Sequence, residues 1–302
     1  VSDVIINATG LTKTFGKMAA IDNLDLSISG DAIIGLIGRN GAGKTTLMKM
    51  IVGQLDINVG QLEVFGEAPM DNLDVLENIV YTYHNMQYDR ALRLKAIIEN
   101  YDIMFRDFDL EFAMKLLDYF ALDPKLKFKN LSQGMASTFN FICGLSCRAR
   151  LTMFDEPVLG MDVTVRKAAY EVLLREFSEH PRTFIVSSHL LSEIEGVLSD
   201  IILIDDGKLV LYENIDALRQ KAYRVEGERD AVDTFTNGKN IIYKKGGLSA
   251  ETVVYEELTE TVGSEAKRQN LTVSAVRAED ICIYLTREDK EGELECLWQK
   301  VN

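Results

Sequence analysis

No stretch of this chain stays apolar for anything near the roughly 20 residues that cross a bilayer as a helix, so no membrane span is expected. The opening VSDVIINATG has neither the basic start nor the apolar run of a secretory leader, and none is expected. Cysteine is scarce, four in 302 residues, too few for a disulfide scaffold. Cys143 and Cys147 fit two small buried residues on one helix face better than a metal or redox pair. Three histidines, none in a cluster, give little support to a structural metal site. Positive charge is outnumbered, 33 Lys and Arg against 47 Asp and Glu, for a net charge of -14. That balance disfavours nonspecific binding of nucleic acid, and no nucleic-acid partner is expected.

What is present is a chain long and apolar enough, at 47% hydrophobic residues, for one large domain plus an appendage. Residues 4–30 alternate apolar and polar side chains, which suggests short antiparallel strands with a turn near Gly16-Lys17. AIIGLIG (32–38) reads as a buried strand, and KTTLMKMIVG (44–53) as a helix stopped by glycine. The polar, acidic stretch 54–130 holds two expected helices, one over the ninety-to-hundred region and one over 110–120. LTMF (151–154) and TFIVSS (183–188) read as core strands, with an amphipathic helix over 165–180 between them. DIILIDDGKLVLY (200–212) reads as a hairpin turning at Asp206-Gly207. Alternation of strand and helix points to an α/β sheet covered by helices. A boundary near 215–222 gives a main domain over 1–217 and a small α+β extension over 218–302.

The glycines of GRNGAGKT (38–45) carry the first chemistry. Strand, G-x-x-x-x-G-K-[ST] and helix follow one another, the context in which such a loop holds phosphate. Small residues among Gly38, Arg39, Asn40, Gly41, Ala42 and Gly43 let backbone N–H groups turn inward as an anion nest. Lys44 can reach the β- and γ-phosphates, Thr45 can place its hydroxyl on Mg²⁺, and Thr46 can support the phosphate end. Downstream, LTMFDEP leaves Asp155 at a strand end, where it can hold Mg²⁺ directly or through water. Glu156 follows where a carboxylate could orient or deprotonate an attacking water. His189, just past the TFIVSS strand, can contact the γ-phosphate and help position that water. In NLSQGMAS (130–137), Asn130 or Ser132 could cap a helix over roughly 135–147, with Gly134 allowing close backbone approach. A second phosphate-facing helix start makes sense if it serves the nucleotide of another subunit.

Together these motifs resemble those of the ATP-binding subunits of ABC transporters, over roughly residues 4–215. GRNGAGKTT resembles the family's Walker A motif, LTMFDEP its Walker B, LSQGM (131–135) its signature and VLGMD (158–162) its D-loop. The resemblance implies a P-loop NTPase with a RecA-like core, an N-terminal antiparallel β-subdomain and a helical subdomain carrying the signature. It implies that His189 is the switch histidine, that Phe15 stacks on adenine, and that Ser132, Gly134 and Asp162 act across a dimer. Two departures stand out. Gln133 and Met135 replace a glycine and a glutamine of the usual signature, and His84 falls where the Q-loop glutamine is usual, with Gln87 as the alternative metal contact. The segment NMQYDRALRLKAI is expected near the surface that receives a membrane subunit.

Within the family the region before LSQGM resembles the YtrB-like and peptide-exporter subgroup. The expected cofactors are ATP and Mg²⁺. The expected function is an ATPase powering a transporter, an exporter, by ATP-driven dimer closure and hydrolysis-driven reopening. The partners implied are an integral membrane permease and a second ATPase subunit, identical or homologous. The implied place is peripheral, on the cytoplasmic face of a bacterial membrane. The alternatives are a soluble ATPase of the same superfamily in translation or DNA repair, and a nucleotide-locked scaffold with little hydrolysis.

Overall fold

A computed structural model of the chain describes residues 4–89, 91–246 and 249–286. In chain order these begin with β1 (Val4–Phe15), β2 (Met18–Ser29), β3 (Ile33–Ile37), α1 (Lys44–Ile51), β4 (Val59–Val64), α2 (Leu73–Leu76) and β5 (Ile79–Tyr83). There follow α3 (Leu94–Met104), α4 (Leu110–Tyr119), α5 (Gln133–Ser146), β6 (Leu151–Asp155), α6 (Val163–Glu179), β7 (Thr183–Ser188), α7 (Leu191–Ile194), β8 (Asp200–Asp205) and β9 (Lys208–Asn214). The last elements are α8 (Ile215–Gln220), β10 (Tyr223–Glu228), α9 (Arg229–Thr236), β11 (Ile241–Lys245), β12 (Ser249–Val254), α10 (Glu260–Arg268), β13 (Thr272–Ala275) and α11 (Ala278–Leu285). The chain divides into two compact units between Tyr212 and Glu213. The sequence led us to expect the division between 217 and 218; α8 goes with the second unit. Residues 287–302 of the expected extension, and Arg90 of the expected permease-facing segment, lie outside the described residues.

The first unit is organised by a six-stranded sheet in the order β5-β6-β7-β3-β8-β9. Neighbours from β5 to β8 run parallel. Every residue of β3, β6 and β7 is buried. Continuous apolar runs such as IIGLI, instead of alternation, are what strands covered on both faces require. The register sets Ile37 beside Ser188, Asp155 beside Ser187, and Tyr83 beside Asp155. The carboxyl ends of β3, β5, β6 and β7 therefore share one edge, where open α/β sheets bind their ligands. At the β8–β9 hairpin, Asp206 and Gly207 both have positive φ, 44° and 76°, as a two-residue type I′ turn demands.

A second sheet, β2-β1-β4, is antiparallel. Its first two strands are 12 residues each, not the short strands expected, and shifts of register along their pairing bend them. Two strands had no counterpart in the sequence reading. Four of the six residues of β4 are exposed, so it shows little apolar pattern, and β5 lies in a stretch read for its loop. Leu47, Met48, Met50 and Ile51 of α1 share one buried cluster with residues of both sheets.

Helices α3, α4 and α5 pack on one another, and α5 also lies against β5, β6 and α6. Ser132 caps α5, its Oγ accepting from the Met135 N–H at 3.3 Å. From Ser137 to Ser146 every residue of α5 is buried. Cys143 and Cys147 are buried free thiols, and burial holds both above the usual thiol range. Buried Arg182 donates to Glu176 Oε1 at 3.0 Å and to the Leu145 carbonyl at 2.9 Å. These bonds tie the end of α5 to α6 and to the start of β7.

The second unit holds an antiparallel sheet of four strands in the order β11-β12-β10-β13. With α9 and α10 this is the β-α-β-β-α-β arrangement of ferredoxin-like folds. Tyr223, Val225, Val232, Phe235, Val254 and Leu271 form its core. On α11, the Tyr284 ring stacks on Tyr243 of β11 at 4.3 Å.

Candidate functional site

Three hydroxyls converge on the Asp155 carboxylate at the end of β6. Ser187 Oγ donates to Oδ1 at 2.6 Å, Thr45 Oγ1 donates to Oδ2 at 2.8 Å, and Tyr81 Oη donates to the same Oδ2 at 3.1 Å. Burial, and then the nearby Asp155 charge, push the Tyr81 hydroxyl far above the usual tyrosine range, so it stays a donor. Ser187 also accepts the Glu156 N–H at 2.9 Å, fixing the next residue. Glu156 has φ 51°, a left-handed conformation that a non-glycine residue holds at some energetic cost and that clusters at functional sites.

The Glu156 carboxylate faces His189, whose Nδ1 lies 3.0 and 3.1 Å from its two oxygens. A carboxylate only accepts, so Nδ1 carries the hydrogen and Nε2 is the ring nitrogen left for another partner.

Opposite these carboxylates runs the 38–44 loop. Gly43 is left-handed at φ 108°, and a Cβ there would lie 2.5 Å from the Ala20 carbonyl oxygen. Only glycine fits. Gly43 also begins α1 with no side-chain cap, which leaves the first-turn N–H groups to an anion. Buried Lys44 donates from Nζ to the carbonyls of Gly38 at 2.7 Å and Arg39 at 3.3 Å. Burial lowers its pKa, and the charges of Glu156 and Asp155 act the other way. A cleft of about 380 Å³ lies between residues 39–46, Phe15, Met18, Ala20 and the Asp155–Glu156 pair. Phe15, half exposed at 47%, forms part of its wall; Met18 and Ala20 were not anticipated there.

The donor set suits a hard ion with phosphate ligands. Among the described residues no three His, Cys, Asp or Glu side chains converge as an ion site. A hydroxyl beside a carboxylate matches Mg²⁺, which keeps waters and substrate phosphates as most of its ligands.

The ABC transporter family model matches residues 21–159. The bacitracin transport ATP-binding protein BcrA of Bacillus licheniformis is 30% identical over 224 residues, covering 72% of this chain and 72% of that protein. This chain belongs to the ABC transporter family. It is an ATP-binding subunit, one of the family's ATPases coupled to transport. The ABC transporter ATP-binding protein YtrB of Bacillus subtilis is 25% identical over 223 residues, covering 74% of this chain and 76% of that one. The dimeric structure of a bacterial ABC transporter cassette matches with a TM-score of 0.61 at 19% identity, over 70% of this chain and 98% of that one. That likeness supports the fold.

The other stretches that resemble family motifs lie outside this cleft. Ser132 is exposed at the start of α5. Gly134 meets the 158–162 stretch of its own chain, for a Cβ there would stand 2.3 Å from the Gly160 carbonyl oxygen. Ser137 adds a bond from Oγ to the Leu159 carbonyl at 2.7 Å. Asp162 is exposed, and its Oδ1 accepts from Thr164 N and Val165 N at 2.9 and 3.0 Å, capping α6.

Of the two candidates for the Q-loop position, His84 and Gln87, neither makes a hydrogen bond to Asp155 or Thr45. His84 is half-buried with its Nδ1 shielded and unpartnered, and exposed Gln87 turns to the Asn85 carbonyl at 3.4 Å. The residue of this segment that reaches Asp155 is Tyr81. The loop is pinned to α5 at both ends, with Asn140 donating to the Tyr83 carbonyl at 3.2 Å and accepting from the Tyr88 hydroxyl at 3.1 Å. Among the described residues no helix is long and apolar enough to cross a membrane.

Proposed function

We propose that the chain binds and hydrolyses ATP in the cleft below Phe15, and that a second ATPase subunit completes the site. Inward N–H groups of the Walker A loop and the Lys44 ammonium would hold the β- and γ-phosphates, with Thr46 supporting them and the Phe15 ring facing adenine. Thr45 and Asp155 would hold Mg²⁺, which when bound neutralises charge on the phosphates. Glu156 orients the attacking water and takes its proton. His189, fixed through Nδ1 by Glu156, turns Nε2 to the γ-phosphate, to which it donates when both ring nitrogens carry hydrogen. Ser132 and Gly134 of the second subunit close over that phosphate and exclude water, with its Asp162 nearby. The observation that carries this reading is the Glu156–His189 pair beside the glycine loop.

The second subunit is an identical or homologous chain, a reading supported by the dimeric neighbour of the same fold. A membrane permease is the coupled partner, so the chain works peripherally at the cytoplasmic face of a bacterial membrane. Export is the direction we favour, on the likeness to a bacitracin transport protein.

Glu156→Gln tests the core of this proposal. The amide keeps the size of the side chain and removes the base, so ATP binding should persist. Hydrolysis in single-turnover phosphate release should fall by about 10²–10⁴-fold. Light scattering should find an ATP-bound dimer accumulating, and Ser132→Arg added to it should prevent that. Wild-type hydrolysis in Glu156→Gln would overturn the assignment.

A further inference from the structure

Asp155 Oδ2 receives two donors of different origin. Thr45 comes from the start of α1, whereas Tyr81 comes from β5, where it pairs with Met153 of β6 two residues before Asp155. Ser187 occupies Oδ1. A carboxylate turning about its last bond has a broad, shallow preference, so only its partners decide which lone pair faces which donor. With Tyr81 on one lone pair of Oδ2, the other is left for the Thr45 hydroxyl. A Thr45 hydroxyl that donates to Asp155 must present its own lone pairs elsewhere, to the site where an ion would stand.

We propose that Tyr81 is a positioning residue for the metal end of the site, its hydroxyl fixing Asp155 so that Thr45 offers Mg²⁺ a lone pair. This rests on the reading of Thr45 and Asp155 as the residues that hold Mg²⁺. Tyr81 touches the carboxylate and not the ion. Partners of this outer kind typically contribute about 10–100-fold in metal affinity. Tyr83 supplies an internal control: it lies on the same strand with its ring 5.4 Å from that of Tyr81.

The test compares the full-length wild type, Tyr81→Phe and Tyr83→Phe. Mn²⁺ is titrated in the presence of ATP and followed by the electron-spin signal of free Mn²⁺. A protein-free titration at the same ATP concentration is subtracted because ATP itself chelates the ion, and the difference counts metal held with the protein without relying on turnover. ATP affinity is measured separately in EDTA by equilibrium dialysis. Both midpoints come from the same protein preparation, so partial unfolding would scale each amplitude and leave the midpoints in place. Tyr81→Phe should weaken Mn²⁺ binding about 10-fold with ATP affinity in EDTA unchanged, and Tyr83→Phe should match the wild type in both. A Tyr81→Phe titration that overlays the wild type would overturn the proposal, as would an equal shift in Tyr83→Phe. A wild type that takes up no Mn²⁺ with ATP would overturn the Mg²⁺ reading along with it.

Discussion

In the first unit Asp155 is held at the end of a buried parallel strand by Thr45, Tyr81 and Ser187, hydroxyls from three other elements. In the second unit Glu251, Asp233 and Asp280 sit in ion pairs with Arg224, Lys244 and Arg277, at 3.0, 2.6 and 2.9 Å, with Arg224 also 3.8 Å from Asp280 and Arg229 3.9 Å from Asp233. The difference follows from strand direction. Parallel strands bring several carboxyl ends to one edge, so side chains distant in sequence meet there. An antiparallel sheet scatters its ends, and its charges are neutralised by neighbours. A buried carboxylate held by neutral hydroxyls keeps its charge for a ligand, whereas one met by arginine or lysine has already spent it.

The largest effect that would test this contrast is on stability. Arg182→Ala removes the 3.0 Å partner of buried Glu176 and leaves it only Arg148 at 3.4 Å. Breaking a buried pair typically costs about 3–5 kcal/mol, and the remaining arginine sets the lower end as the expectation. Urea unfolding should register that loss in the first unit. Next in size is Lys44→Ala, which removes charge-assisted phosphate contacts worth about 1.5–3 kcal/mol. ATP affinity should fall accordingly while the unfolding midpoint without nucleotide stays close to wild type; near-native affinity would reject the phosphate role of the loop. The smallest effect belongs to the second unit. Lys244→Ala removes a pair whose lysine is 48% exposed, worth about 1 kcal/mol or less, and should leave ATP affinity untouched. A loss at Lys244 as large as that at Arg182 would erase the contrast.

The glycine loop was legible in the sequence because all its parts are local. Strand, Gly38 to Lys44 and helix follow without a gap, and the hairpin at Asp206-Gly207 is equally self-contained. Asp155 and Glu156 were legible as the end of an apolar strand, and Ser132 as one of two candidate caps. Tyr81 on Asp155 was not, because that contact joins residues 74 apart through the parallel pairing of β5 with β6. Nothing in IVYTY states that register. Met18 and Ala20 reach the cleft by the same kind of distant placement. In the second unit the strands are four to six residues long. An α+β class could be read from them, but the order β11-β12-β10-β13 is a property of packing alone.

The meeting of Gly134 with the carbonyl of Gly160 bears on how tolerance to substitution should be interpreted. At that crossing a single methyl group is too large: a Cβ on Gly134 would fall 2.3 Å from the Gly160 oxygen, and one on Gly160 would fall 2.9 Å from Gln133 Cγ. A survey of viable variants would find Gly134 closed by backbone and Gly160 disfavoured by its φ of 81° and by the Gln133 side chain, both close to Ser132, and intolerance of that kind is easily taken for catalysis. Here volume at Gly134 and backbone conformation at Gly160 are sources of their own. Gly134 records how closely two stretches of one backbone must pass, and an inactive variant there would report a displaced α5 as well as any change at the phosphate.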